Sequence, residues 1–231
     1  MVERQNRIGW KKMSNSDWSF CVTTGYDDLD KLQEVVDSIR NLNIPNYEIL
    51  FIGDQAGRPN DLLTGEDIQH IDFDDSVKPR WITRKKNILA QTAQYENLAM
   101  MHDYHVFDPE WYAHFLEFET VWDICSCQQL FINGHRVPMD WSLWDKPGAG
   151  RAWALAYDNW NETQYMFLAG AFFIVKKDVM LAEPLNEDLI WNEEEDVEWS
   201  LRVRDKYRMI CNGKSIVRHN KWHRHLGPEP S

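Results

Sequence analysis

From residue 17 onward the chain alternates short apolar runs with amphipathic stretches. Trp18-Ser19-Phe20-Cys21-Val22-Thr23-Thr24 is β-prone and stops at Gly25, after which Asp27 and Asp28 offer a helix cap. Leu29, Leu32, Val35, Val36, Ile39 and Leu42 recur at three- and four-residue steps, so they form one helical stripe that must bury against a sheet. Pro45 and Asn46 end that helix, and the nearly unbroken apolar run Tyr47–Ile52, closed by Gly53-Asp54, predicts a strand covered on both faces. A polar loop with Gly57, Pro59 and Gly65 leads to a short strand at Ile68–Phe73 and a second helix from Ile82 to Glu96, patterned by Ile88, Leu89, Thr92, Ala93 and Tyr95. Asn97–Met101 predicts a third buried strand. It ends at His102-Asp103-Tyr104-His105, where open α/β sheets hold ligands. The alternation predicts a Rossmann-like α/β fold, a doubly wound, mostly parallel sheet flanked by helices.

The second half is less regular. Val121–Ile132 reads as a strand, Asn133-Gly134 as a hairpin turn, and residues 138–165 as one long loop rich in Trp, Gly and Asp. Phe167–Val175 predicts another buried strand, whose Gly170 suggests a close approach of backbone or ligand. Glu193-Glu194-Glu195-Asp196 opens a helix carrying Val197, Leu201 and Val203. Strands near Tyr207–Cys211 and Ser215–Arg218 follow, with His219, His223 and His225 after them. With no internal repeat or linker, the expectation is one domain over 17–220 between an arm, 1–16, and a tail, 221–231.

Charge narrows the partners. Lys plus Arg number 25 against 37 Asp plus Glu, a formal net charge of −12, which disfavours nucleic acid or an anionic membrane as the main partner. No apolar run is long enough to span a bilayer and the start lacks a secretory signal, so a soluble, cytoplasmic protein is expected. Cys21, Cys125, Cys127 and Cys211 are scattered without zinc-knuckle spacing and read as buried thiols. The twelve tryptophans are the unusual feature: some must fill the core, while rings in polar contexts suit sugar faces.

Asp103 and His105, two apart in an extended segment, would project to one side and could grip a divalent cation, with His219 as a third ligand. Glu194-Glu195-Asp196 begins a helix, where the dipole and free amides keep a carboxylate ionised and competent as a base. These segments come in a telling order. Residues 18–220 resemble the GT-A glycosyltransferases, particularly the family-two nucleotide-sugar enzymes. Cys21–Tyr26 is similar to the first strand and base-binding loop, and Tyr47–Asp54 to the second strand with its terminal aspartate. Arg84-Lys85-Lys86-Asn87 is similar to a basic helix start, and His102–His105 stands in the place of the Asp-x-Asp motif. Leu168–Phe173 resembles the acceptor-side strand, Glu194-Glu195-Asp196 the x-Glu-Asp motif, and Val217-Arg218-His219 the closing metal-binding histidine.

The resemblance implies a metal-dependent, inverting transfer of a sugar from a nucleotide-diphosphate donor to a carbohydrate or glycoconjugate acceptor. Thr23, Thr24, Tyr26, Asp54, Arg84, Lys86, Asn87 and Asp103 would hold the donor, and Asp103, His105 and His219 an Mn²⁺ or Mg²⁺ ion. Asp196 would be the general base and Glu195 its orienting partner. Trp141, Trp144, Trp153, Gly170 and Trp191 would form the acceptor side. Two departures stand out: His105 replaces the second aspartate of the usual motif, making the site less anionic, and the first strand lacks the usual proline. A metal-dependent hydrolase or nucleotidyltransferase on a similar sheet, and a non-catalytic carbohydrate-binding protein, remain alternatives.

Overall fold

The computed structural model describes residues 16–54, 63–118 and 120–222. Most of the arm, the loop with Gly57 and Pro59, and the tail with His223 and His225 lie outside the described residues.

The first half follows the hydrophobic pattern closely. Strand β1 (Asp17–Thr23) leads to helix α1 (Leu29–Arg40), where Asp28 caps the N-terminus by accepting from Lys31 N at 3.2 Å. Strands β2 (Asn46–Asp54) and β3 (Ile68–Phe73), helix α2 (Ile82–Thr92) and strand β4 (Asn97–His102) follow. The stripe Leu32, Val35, Val36 and Ile39 is buried against Phe20 and Val22 of β1 and Ile49 and Phe51 of β2. Each such side chain contributes roughly 1.5–3 kcal/mol by leaving water.

Beyond β4 come β5 (His105–Phe107), α3 (Trp111–Leu116), β6 (Ile124–Leu130), β7 (Ser142–Trp144), β8 (Ala152–Ala154), β9 (Met166–Phe167), β10 (Phe172–Lys176), α4 (Lys177–Ala182), α5 (Glu195–Val203) and β11 (Met209–His219). The main sheet runs β3-β2-β1-β4-β10-β6-β11-β5, and a small antiparallel sheet runs β8-β7-β9. In the main sheet β3, β2, β1 and β4 are mutually parallel, as are β6 and β11, whereas β10 is antiparallel to both its neighbours and β5 to β11. One apolar core holds α1 and α3 residues with one face of the sheet. The other joins the opposite face, through Cys21, Leu50 and Ile52, to α2, α4 and α5. The architecture is the predicted doubly wound, mostly parallel sheet, built as a single domain.

Three expectations for the second half need correction. Residues 138–165 are not all loop, because β7 and β8 lie within them; strands of three residues are too short to show a period. The apolar run Phe167–Val175 is broken between Phe167 and Phe172, since its two ends are buried in different sheets. The two last strands are one, β11, whose pairing with β6 shifts register between Asn212 and Ile216.

All four cysteines are buried free thiols. Many tryptophans are core: Trp18, Trp111 and Trp122 pack edge-on or stacked with Phe20, Phe107 and Phe115 where α3 covers the sheet. No helix among the described residues is long and apolar enough to cross a membrane.

Candidate active site

The chain winds outward from β1 through β2 to β3 and then returns to place β4 on the other side of β1, which opens a crevice at the carboxyl ends of β1 and β4. A cleft of about 630 Å³ lies there. Thr23, Thr24, Gly25 and Asp27 line it after β1, and His102, Asp103 and Tyr104 line it after β4. Its other walls carry Asp75, Arg80, Lys85, Trp191 and Lys221.

Asp103 is held by its neighbour strand. Thr24 Oγ1 donates to Asp103 Oδ2 at 2.7 Å and accepts from Tyr26 N at 2.9 Å, so one hydroxyl fixes both the carboxylate and the turn after β1. That turn passes so close to β2 that a Cβ at Gly53 would lie 2.5 Å from the Thr24 carbonyl oxygen and 2.8 Å from the Tyr26 ring. Tyr26 takes a left-handed conformation and turns its hydroxyl to His70 Nδ1, 3.1 Å away, instead of lining the cleft. Asp54 ends β2, one strand further out. Burial pushes the Asp103 carboxyl up, against the opposing pull of the Thr24 hydrogen bond and the Lys221 charge. Burial, with the charges of Lys86, His219 and Lys221, holds His102 well below its ordinary value, so this imidazole is neutral; its Nε2 is buried with no hydrogen-bond partner among the described residues.

The three expected metal ligands divide: Asp103 borders the cleft, while His105 and His219 are buried beside each other. Asp103 and Tyr104 form a turn between β4 and β5, which removes the extended geometry that would have put Asp103 and His105 on one side. His105 is fully buried, with Nδ1 3.2 Å from the His102 carbonyl oxygen and its ring 4.7 Å from that of His219, its partner across β5 and β11. Among the described residues no three His, Cys, Asp or Glu side chains converge on a point that could hold a metal ion. Asp103 alone of the three borders the cleft, and one carboxylate is a fitting protein ligand for a hard cation whose other ligands come from a bound diphosphate.

The basic run on α2 is divided by helical rotation, about 100° per residue. Lys85 borders the cleft and pairs with Asp75 at 2.8 Å. Arg84 pairs with Glu187 at 3.1 Å, and Asn87 bonds Leu185 N and O, both at 2.9 Å. Trp81 Nε1 and Thr83 Oγ1 bond the carbonyls of Glu187 and Leu189 at 2.7 and 2.8 Å. Residues 185–191 are thereby strapped to α2, and this delivers Trp191, 46% exposed, to the cleft wall with Arg80 5.8 Å from its ring. Arg84, Lys86 and Asn87 therefore build the wall from behind, and the cations on the cleft are Arg80, Lys85 and Lys221. Lys85 and His102 sit inside segments the sequence singled out; Arg80, Asp27, Asp75 and Lys221 carried no spacing signal.

Asp196 sits in the first turn of α5. Its Oδ2 accepts from Gly170 N at 2.7 Å and its Oδ1 from Val197 N at 2.8 Å. A Cβ on Gly170 would lie 3.1 Å from Asp196 Oδ2, so glycine allows the carboxylate this close to the backbone. Next in the chain, the Ala171 carbonyl accepts from His102 N at 3.0 Å, which ties Asp196 to the cleft wall. Glu195 is buried, and burial followed by the Asp196 charge pushes its carboxyl up.

The acceptor-side tryptophans separate. Trp141 is fully buried, with Nε1 on the Asn159 carbonyl at 3.2 Å, and is a core residue rather than a contact surface. Trp144 packs on Phe167 and Val197, the residue after Asp196. Trp153, 61% exposed, lines a second groove of about 450 Å³ with Leu143, Lys146 and Glu162.

No family model matches the chain, and no curated protein matches it. Solved structures do. S. aureus TarS 1-349 in complex with UDP-GlcNAc is similar at TM-score 0.61 and 13% identity, covering 93% of this chain and 62% of that one. GalNAc-T7 with UDP, GalNAc and Mn²⁺ is similar at TM-score 0.62 and 13% identity, covering 93% of this chain and 45% of that one. The chain thus spans less than two thirds of either structure. Both are glycosyltransferases of the GT-A fold, and the GT-A fold is what this chain shares with them.

Proposed function

We propose that the chain transfers a sugar from a nucleoside-diphosphate donor to an acceptor hydroxyl. The observation that carries this reading is the cleft itself: it opens at the carboxyl ends of the paired strands β1 and β4 in a GT-A fold, and it sets Asp103 beside Arg80, Lys85 and Lys221. Such a mixed wall suits a diphosphate, whose charge needs cations at short range even on a protein of net charge −12. Both TarS and GalNAc-T7 were crystallised with uridine nucleotides, one of them with Mn²⁺.

Thr24 orients Asp103, and Asp103 is the residue that would hold a divalent ion. When bound, that ion would supply charge stabilisation to the leaving diphosphate. The flat, half-exposed ring of Trp191 offers a stacking face for the base or a sugar. Asp196 acts as general base on the acceptor hydroxyl, because its two backbone hydrogen bonds fix the direction of the carboxylate, and attack opposite the leaving diphosphate inverts the anomeric centre. Among the described residues His102, His105 and His219 form no metal-binding group, and His223 and His225 lie outside those residues.

Calorimetry with UDP, UDP-GlcNAc and UDP-GalNAc, each with and without Mn²⁺, tests the reading. Binding that weakens at least tenfold in Asp103→Asn is the expected result. Absence of binding to any nucleotide sugar in a wider panel overturns it.

A further inference from the structure

Deep behind the cleft, Lys86 is 1% exposed. Its Nζ donates to the carbonyl of Gly170 and lies 5.5 Å from the Phe173 ring. Gly170 is therefore gripped from two sides: Lys86 holds its carbonyl and Asp196 accepts from its amide, while the following carbonyl is fixed by His102 N. The charges that face Lys86 are Glu195 and Asp196 on α5, and His102, at the end of β4, feels the lysine in turn. A lysine is a costly way to satisfy one buried carbonyl unless its charge is used, because desolvation disfavours an ammonium.

We propose that Lys86 is a positioning residue for Asp196: its ammonium anchors the Gly170 carbonyl and balances the Glu195–Asp196 carboxylates, so that the direction of Asp196 depends on Lys86 being charged. The inference rests on the transferase reading for its catalytic meaning, but the linkage Lys86–Gly170–Asp196 stands on geometry alone. Burial lowers the Lys86 ammonium to about 8, with Glu195 and Asp196 pulling the other way. Without its proton Lys86 still has an N–H to donate but no longer balances the carboxylates, so the anchor weakens within an accessible pH range, and a base tied to it loses alignment as pH rises through that value.

The experiment follows the Gly170 amide resonance by NMR from pH 6 to 10 in the wild-type protein, Lys86→Met and Lys86→Arg. In the wild type this amide shifts with a midpoint near 8, since its partner Asp196 reorients when Lys86 loses its proton. Lys86→Arg, charged throughout, stays at the wild-type low-pH position; Lys86→Met stays at the high-pH position. The Glu195 carboxyl, followed by carbon shifts, titrates higher in Lys86→Met than in the wild type. A flat wild-type profile, or a step that survives in either variant, overturns the proposal. Should Lys86→Met not fold, the wild-type and arginine profiles still decide it. Where UDP-GlcNAc proves to be a donor, kcat falls above pH 8 by about 10²-fold with donor KM unchanged, and Lys86→Arg abolishes that limb. Failure of turnover with an intact NMR step refutes the transferase reading and leaves the linkage standing.

Discussion

Asp196→Asn tests the base and the local geometry together. The carboxylate accepts two backbone hydrogen bonds, from Gly170 N at 2.7 Å and Val197 N at 2.8 Å. An amide keeps one acceptor oxygen and turns an NH₂ toward the other N–H, so one charge-assisted hydrogen bond is lost and a buried donor is left facing a donor. That costs about 1.5–3 kcal/mol. In a chain of this size the loss lowers Tm by roughly 3–12 °C. The amide also cannot take the acceptor's proton, so transfer falls by about 10²–10⁴-fold while nucleotide binding at Asp103, on the other side of Gly170, survives. Denaturation of the variant gives the first quantity, and single-turnover transfer beside calorimetric donor binding gives the second. Glu194→Gln is the control: Glu194 is exposed and pairs with Arg151 only at 3.7 Å, so less than about 0.5 kcal/mol is at stake. Near-normal transfer by Asp196→Asn would refute the base assignment, and unchanged stability would refute the two hydrogen bonds.

Thr24→Val removes the hydroxyl that donates to Asp103 and is expected to weaken UDP binding in the presence of Mn²⁺ by about tenfold, one hydrogen bond's worth; equal affinity in calorimetry counts against Asp103 as the donor-site ligand. Trp141→Ala is expected to cost about 3–5 kcal/mol in urea unfolding and Trp153→Ala within about 0.5 kcal/mol, because the first ring is wholly buried and the second exposed; the reverse order would return Trp141 to the surface. Arg40 holds the Asp67 carboxyl below its ordinary value through two 2.9 Å hydrogen bonds, so the stabilisation is fully present above the unfolded carboxylate pKa and is lost as pH falls through the depressed one. Arg40→Met should therefore be less stable by about 0.5–1 kcal/mol at pH 7, with the gap closing below about pH 4; a gap independent of pH rules the linkage out.

How much of this was written in the hydrophobic pattern depends on length and on chain direction. The stripe on α1 and the runs at β2 and β4 are each long enough to show a period, and their elements lie within a few residues of the expectation. At β7 and β8, three residues each, no period exists to read. The motif order was legible; side-chain direction was not. Arg84, Lys85 and Lys86 are adjacent in sequence, yet one pairs with Glu187, one faces the cleft and one is buried beneath Gly170, because α2 rotates between them. His105 looked like a ligand only while Asp103-Tyr104 was read as extended chain, and the turn there sends its ring inward to His219 and Phe172.

The reversed strand β10 is the feature that local pattern could not supply and the site requires. A parallel neighbour would begin beside the start of β4, at the opposite edge of the sheet from the cleft. Because β10 runs antiparallel, its first residue, Phe172, registers with Met101 near the carboxyl end of β4, and the turn just before it sets Gly170 and Ala171 behind His102, which lines the cleft. The Ala171 carbonyl then takes the His102 amide, one residue before Asp103, while the Gly170 amide takes Asp196. Asp103 and Asp196, 93 positions apart in the chain (196 − 103), are thus linked through the His102–Ala171 backbone hydrogen bond and the Gly170 amide that donates to Asp196 Oδ2. Backbone hydrogen bonds of this kind constrain direction without requiring particular side chains at 102 or 171, whereas a Cβ at position 170 would meet the Asp196 side chain at 3.1 Å and press it out of its present place.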